Sequence, residues 1–212
     1  RAYIQFSEPI SLRDHLARHP QCETEETEII RTLSNDLAFE FVQAINRVSV
    51  VTPFSLVCAA LLTYPRKGVY RRELLKIIQA LYDYLKARNV PLADSLDNLG
   101  QAVEETLALC EARKLITPIE QEEGLSDELG LGGYSIDETK RPLLEYYKNN
   151  IIHFFLPAAI VSLAALSGSG FDFERHQVLD DVRFLEDFFK FEFFLNGVTP
   201  ELLLDETLAY FT

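Results

Sequence analysis

Methionine and tryptophan do not occur in this 212-residue chain, and cysteine occurs only three times. Cys22, Cys58 and Cys110 stand far apart with no paired spacing, which excludes a disulfide framework or a zinc site and points to a reducing compartment. Cys58 in SLVCAALL and Cys110 in LALCEAR lie in apolar helical stretches, where a thiol behaves as a small buried hydrophobe. Basic residues are the scarcer charge: 20 Lys and Arg against 33 Asp and Glu leave a formal charge of −13 and a pI near 4.7. Such a surface does not steer nucleic acid or anionic lipid toward itself, so an anionic partner would need a local basic patch. The chain opens at Arg1 without the basic segment and apolar core of a signal peptide. With no methionine at its start, it is expected to be an internal piece of a longer polypeptide. The most apolar run, 151–166, is about 16 residues long and contains His153 and Pro157, short of the ~20 needed to span a bilayer. A buried or interfacial helix is expected there. GxSxG, a phosphate-gripping glycine loop and a His/Cys cluster with metal spacing are all missing, so the residues alone indicate no catalytic constellation, metal or cofactor.

What is present is 48% hydrophobic, enough for one sizeable core or two small ones. AYIQF is a short β-like run, and SEPISL turns into a helix over 12–17. A single strand cannot satisfy its own edges, so this one is expected to complete a sheet whose other strands lie upstream. From Glu26 to Asn46 the apolar residues Ile30, Leu33, Leu37, Phe41 and Ile45 recur at helical spacing, and Thr52-Pro53 then caps FSLVCAALL; both are predicted core helices. Two amphipathic helices follow, over 73–86 with Leu74, Ile78, Leu81 and Leu85, and over 102–114 with Val103, Leu107 and Cys110. LITPIE and GYSID then flank a Gly-rich loop. Pro142 opens a helix through LLEYYKNNIIHFF that Pro157 is expected to interrupt, AAIVSLAAL runs on to SGSG, and helices over about 172–195 and 200–211 end the chain.

The expected fold is therefore mainly α, with a winged-helix-like segment over about 53–137. Its loop carries Glu120, Glu122, Glu123, Asp127 and Glu128 where a DNA-binding wing would carry Arg or Lys, which favours packing against protein and argues against nucleic acid.

IQFSEPISL, AINRVSVVTPFSLVCAALL, YLKARNVP, LLEYYKNNIIHFFLP and FFKFEFFL occur in this order across nearly the whole chain. Together they resemble the carboxy-terminal region of the bacterial membrane-bound glycerol-3-phosphate acyltransferases of the PlsB type. The resemblance implies transfer of a fatty acyl group from acyl-CoA or acyl carrier protein to the first hydroxyl of sn-glycerol 3-phosphate, giving lysophosphatidate for phospholipid biosynthesis. It also implies an HxxxxD motif, histidine as general base and aspartate orienting it, placed upstream of the IQFSEP-like strand together with the phosphate-gripping residues. Residues 1–25 would then end the upstream α/β acyltransferase domain and 26–212 would form a carboxy-terminal helical domain. No catalytic residue is expected in this chain, which alone would be inactive; acyl donor and glycerol 3-phosphate would bind through the upstream domain, at the cytoplasmic face of the inner membrane, peripherally or monotopically. The competing reading is a non-catalytic helical module that binds lipid or protein.

Three groups of residues invite a functional role. Tyr146, Asn149, Asn150 and His153 are placed by helical spacing near one face, where they would line a cleft or brace the catalytic domain, or simply form a hydrogen-bonded core histidine with its partners. Arg66, Lys67, Arg71 and Arg72 form the one concentrated basic patch, suited to anionic headgroups or an acidic carrier protein, or to a solvated loop. FLEDFFKFEFFL alternates aromatics with charges like an interfacial anchor, yet Leu185, Phe188 and Phe189 continue the stripe of Val178 and Val182, which favours core. His176 and Asp181 match HxxxxD spacing, but five helical positions leave their side chains roughly 140° apart. His176 falls instead on a solvated stripe with Asp180, Arg183, Asp187 and Lys190, and the His176/Asp181 pair is rejected as a catalytic couple.

Overall fold

The computed structural model describes residues 3–18, 27–63, 68–119, 132–167, 174–190, 193 and 199–211. It is mainly helical with one small antiparallel sheet, as the sequence pattern predicts. The chain divides into two compact units: a central body, residues 50–155, and a flanking body made of 1–49 and 156–212. The boundary expected near residues 25 and 26 lies outside the described residues.

The central body is built around α3, Pro53–Thr63, whose sequence is apolar on all sides. Leu56, Val57, Cys58, Ala60 and Leu61 are fully buried, as an all-round apolar helix must be. Its start is fixed by a reciprocal cap. The Ser55 amide donates to Thr52 Oγ1 at 3.2 Å and the Thr52 amide donates to Ser55 Oγ at 3.0 Å, satisfying two donors that the helix leaves open. Around α3 pack α4 (Arg71–Ala87), α5 (Leu99–Ala112) and α6 (Arg141–Asn149). A 3-10 turn over Asp94–Asn98 precedes α5, and the Asn98 side chain caps it by accepting from the Gln101 amide.

Strands β1 (Gly68–Tyr70), β2 (Ile116–Ile119) and β3 (Gly133–Ile136) form a sheet in the order β1-β3-β2. Both pairings are antiparallel, with Gly68 opposite Ser135 and Ile116 opposite Ile136. Helix, strand, helix, helix and a final hairpin in this order give the winged-helix-like arrangement. At Gly133 a β-carbon would come within 2.5 Å of the Val69 carbonyl oxygen, so only glycine lets β1 and β3 approach this closely.

The helices α4 and α5 end in the same way. Asn89 and Lys114 each adopt positive φ, 52° and 54°. The amides of Asn89 and Val90 then reach the carbonyls of Lys86 and Leu85, and those of Lys114 and Leu115 reach Glu111 and Cys110. These are paired Schellman bonds, and each is followed by an apolar residue that joins the core, half-buried Val90 and buried Leu115. Val90 leads on to Pro91 and Ala93, which clasp Val51 from both sides: the Val51 amide donates to the Pro91 carbonyl and the Ala93 amide to the Val51 carbonyl, both at 2.9 Å.

In the flanking body a second core gathers Leu156, Ile160, Val161 and Ala164 of α7 (Ile152–Leu166), Val178 and Val182 of α8 (Arg175–Phe189), and Leu203 and Leu204 of α9 (Pro200–Phe211). Arg175 reaches Asp205 at 2.6 Å and Arg183 reaches Glu201 at 2.5 Å, so α8 and α9 run antiparallel. The remaining helices are α1 (Leu12–Ala17), capped by Ser11, and the 22-residue α2 (Thr27–Val48).

Residues 3–10 have no regular structure and pair with no described strand, and Ile4 and Phe6 are exposed; the expectation there places the strand's partners in upstream sequence. Several other expectations are corrected. α2 is helical as its spacing predicts but buries no residue, so it is not a core helix: its apolar row leaves Ile30, Phe41 and Ile45 exposed. The break between α6 and α7 falls at the Asn150-Ile151 step, not at Pro157, which lies inside α7. Two adjacent asparagines are weak helix formers, whereas Pro157 only denies the His153 carbonyl an intrahelical donor while its neighbours Leu156, Ala158, Ile160 and Val161 are held by packing. Phe188 was expected in the core stripe but is 65% exposed, because the stripe through Val178 and Val182 turns it aside. Among the described residues no single helix is long and apolar enough to cross a membrane; only the broken pair α6 and α7 together meets that length and composition.

Candidate functional site

The helix break separates one of the predicted groups. Tyr146 and Asn149 lie on α6, Asn150 at the break and His153 on α7, so the shared helix face inferred from their spacing does not exist. Tyr146, Asn149 and Asn150 are exposed, and Tyr146 meets Tyr147 edge-on at 5.3 Å, which in turn packs edge-on against Phe54 at 4.6 Å. His153 is half-buried with its ring 4.0 Å from that of Phe154.

Of the basic patch, Arg66 and Lys67 lie outside the described residues. Arg72 is exposed, but Arg71 is committed: it donates to Tyr134 Oη at 2.9 Å and pairs with Glu104. This ties the start of α4 to α5 and β3. α5 is the second helix of the helix-turn-helix pair, the place where DNA-binding relatives of this topology present their reading residues. Here that helix turns Gln101, Glu104 and Glu105 outward, a face that repels phosphate.

Cys58 and Cys110 are both fully buried, and burial pushes both thiols up, Cys110 to about 11. Neither has the electropositive, accessible setting of a nucleophile; Cys22 lies outside the described residues. His176 and Asp181 do not pair. His176 Nδ1 sits 3.2 Å from Glu174, and Asp181 accepts from the Ser167 hydroxyl at 3.0 Å. Arg183 with Asp180 and Lys190 with Asp187 complete the solvated stripe expected of α8.

The most connected polar cluster is one that sequence reasoning missed. His15 of α1 is 3% exposed, and its Nδ1 lies 3.0 Å from Glu40 Oε2 on α2. Arg18 donates to both Glu40 oxygens, at 2.9 and 3.0 Å. The Arg18 hydrogen bond, and then that of His15, hold the Glu40 carboxyl below the usual carboxylate range against the opposing effect of desolvation. A carboxylate can only accept, so His15 Nδ1 carries the proton and donates. Beside this cluster a cleft of about 560 Å³ opens between residues 7–11 and α2, lined by Ser7, Glu8, Gln43, Ala44 and Arg47 among others. A separation of 25 residues hid the His15–Glu40 pair; the only local signal was a histidine on the inner face of a one-and-a-half-turn helix.

No group of three or more His, Cys, Asp or Glu side chains among the described residues is arranged to hold a metal ion. Hydroxyl–carboxylate pairs occur at Ser167 with Asp181 and at Thr139 with Asp137, both solvent-exposed hydrogen bonds. The described residues thus form two compact, mainly helical bodies, one of them of winged-helix-like topology.

A family model, the glycerol-3-phosphate acyltransferase C-terminal region, matches residues 1–212, and the chain belongs to that family. A glycerol-3-phosphate acyltransferase of Pseudomonas aeruginosa is 29% identical over 99% of the chain, which covers 25% of that protein. The corresponding Pseudomonas fluorescens enzyme is 28% identical over 98% of the chain and 25% of its own length. A Mycobacterium tuberculosis protein named plsB1 is 27% identical, with 93% of the chain matching 31% of that protein. The chain spans about a quarter of the length of the Pseudomonas relatives.

Proposed function

We propose that this chain is the carboxy-terminal part of a glycerol-3-phosphate 1-O-acyltransferase, which transfers a fatty acyl group from acyl-CoA or acyl carrier protein to sn-glycerol 3-phosphate in phospholipid biosynthesis. The observation that carries this reading is the family match from the first residue to the last in a chain only a quarter as long as the Pseudomonas enzymes. The acyl transfer itself belongs to an upstream HxxxxD, whose histidine takes the proton of the attacking hydroxyl while the aspartate orients the imidazole. Residues 1–212 alone are inactive on this reading. They support the upstream domain: residues 3–10, with Ile4 and Phe6 exposed, continue its sheet, and the uncovered apolar row of α2 packs against it. Covering such a row removes apolar area from water, a stabilisation of about 25 cal/mol per Å².

We place the whole protein at the cytoplasmic face of the inner membrane, peripheral or monotopic. The charge of −13 leaves membrane contact to apolar side chains more than to cations, and Leu163, Leu166, Phe184 and Phe188 of the flanking body are exposed for it. The test is to read the coding sequence upstream of Arg1 and replace the histidine of its HxxxxD by alanine in the complete polypeptide. Transfer of a labelled glycerol 3-phosphate should fall by about 10²–10⁴. A start codon immediately before Arg1, or transfer that survives the replacement, would refute the reading.

A further inference from the structure

We infer that Glu40 is a positioning residue, which through His15 and Arg18 clamps α1 onto α2 and so sets the direction in which residues 3–11 leave the flanking body. His15, Arg18 and Glu40 tie two segments of sequence that are 22 to 25 residues apart. The geometry is that of a clamp and not of a passing surface contact. His15 is nearly fully buried, and its ring nitrogen faces one Glu40 oxygen. The Arg18 guanidinium closes over both oxygens from the solvent side, where it is 58% exposed. An exposed ion pair alone contributes little, so the buried imidazole is the part that fixes geometry, since a partner lost from a buried polar group is costly to replace.

The clamp acts at a short helix. α1 has 6 residues, too few to hold itself. Its ends are tied by the Ser11 side chain, which accepts from the Asp14 amide, and by the His15 and Arg18 amides, which donate to the Ser11 and Asp14 carbonyls. Residues 7–11, just before it, have no regular structure and form one wall of the cleft whose other wall is Gln43, Ala44 and Arg47 of α2. Whatever fixes α1 on α2 therefore fixes this wall, and with it the line of the chain toward Phe6 and Ile4. This inference rests on the acyltransferase reading, in which that line leads to the catalytic domain.

The test uses the complete polypeptide with Glu40→Gln and the conservative Glu40→Asp, read by amide hydrogen exchange and by steady-state acyl transfer to glycerol 3-phosphate. Glu40→Gln should speed exchange at residues 12–18 by about tenfold or more while α3 and α5 stay protected, which shows that the variant is folded. It should also lower kcat/KM about tenfold, because misplacing a catalytic framework by a fraction of an ångström has effects of that order. Glu40→Asp should recover part of both losses. Unchanged exchange at 12–18 would overturn the clamp, and faster exchange with unaltered transfer would overturn its positioning role. An unsubstituted polypeptide that transfers no acyl group would refute the acyltransferase reading and Glu40's part in it, while the exchange result would still decide whether the clamp orders α1.

Discussion

Each of α3, α4, α5 and α6 in the central body buries at least one side chain, and α3 buries most of its length, whereas the longer α2 of the flanking body buries none. The contrast follows from composition. SLVCAALL is apolar all round and has to be enclosed, while α2 carries a single apolar row among charges and can persist with that row in water. Among the described residues the central body has side-chain caps at the starts of α3 and α5, Schellman exits at α4 and α5, and a well-filled core. The flanking body has a smaller core, held at its margin by exposed ion pairs, and apolar side chains to spare. On the proposed reading, the apolar row of α2 that is exposed among the described residues is the surface that meets the upstream domain.

The difference can be broken first where it is largest. Leu61→Ala removes a fully buried side chain from the centre of α3 and should lower stability by about 2–5 kcal/mol in denaturant titrations. Phe41→Ala on α2 should change the stability of residues 1–212 by less than about 0.5 kcal/mol, and should cost clearly more in the complete polypeptide if α2 is covered there. Equal effects of Phe41→Ala in both would remove the reason to regard α2 as a docking surface.

Next in size is Gly133→Ala. A methyl group 2.5 Å from the Val69 carbonyl forces β1 and β3 apart, and a loss of about 1–3 kcal/mol is expected, with exchange of the Tyr70 and Tyr134 amides accelerated. Acid should then distinguish the bodies. Arg18 holds the Glu40 carboxyl low, its own amide and Arg183 do so for Glu201, and Arg175 for Asp205, all in the flanking body. A carboxyl whose folded pKa is depressed stabilises the fold above its ordinary value, and that contribution disappears as pH falls through the folded pKa. Glu186 of the same body is shifted up, by burial and then by Glu201, so it opposes the trend and gains stability as it protonates. In the central body Asp137 is held low by the Thr139 hydroxyl and amide. Exchange measured from about pH 6 down to pH 3 should therefore show α1, α8 and α9 opening before α3 and α5. The reverse order would contradict the assignment of these shifts. The smallest effect expected is a gain: Lys114→Gly relieves a positive φ at the end of α5 and should raise stability by about 0.5–1 kcal/mol, seen as a higher midpoint of thermal unfolding.

Much of the central body was legible in the sequence because its signals are local. Thr52-Pro53 marks the start of α3, the spacing of Leu74, Ile78 and Leu85 marks α4, and the β-like runs on either side of an acidic loop mark the hairpin. What was not legible depended on comparison between distant segments. The apolar row of α2 reads the same whether or not anything covers it, so a core helix was predicted where an open one stands. The helix breaks after Asn149 and runs on through Pro157, because asparagines are weak helix formers while burial of Leu156, Ala158, Ile160 and Val161 holds α7 around its proline. Among the candidate residues, the stripe containing His176 was recognised as solvated from angles alone. Glu40 was not found, since nothing near it in sequence announces His15.

The most direct test of the account is acyl transfer measured on two samples side by side: the complete polypeptide and residues 1–212 alone, each given labelled glycerol 3-phosphate and acyl-CoA or acyl carrier protein. The account predicts labelled lysophosphatidate from the complete polypeptide and none from residues 1–212. Product from residues 1–212 alone, or none from the complete polypeptide with either donor, would contradict it.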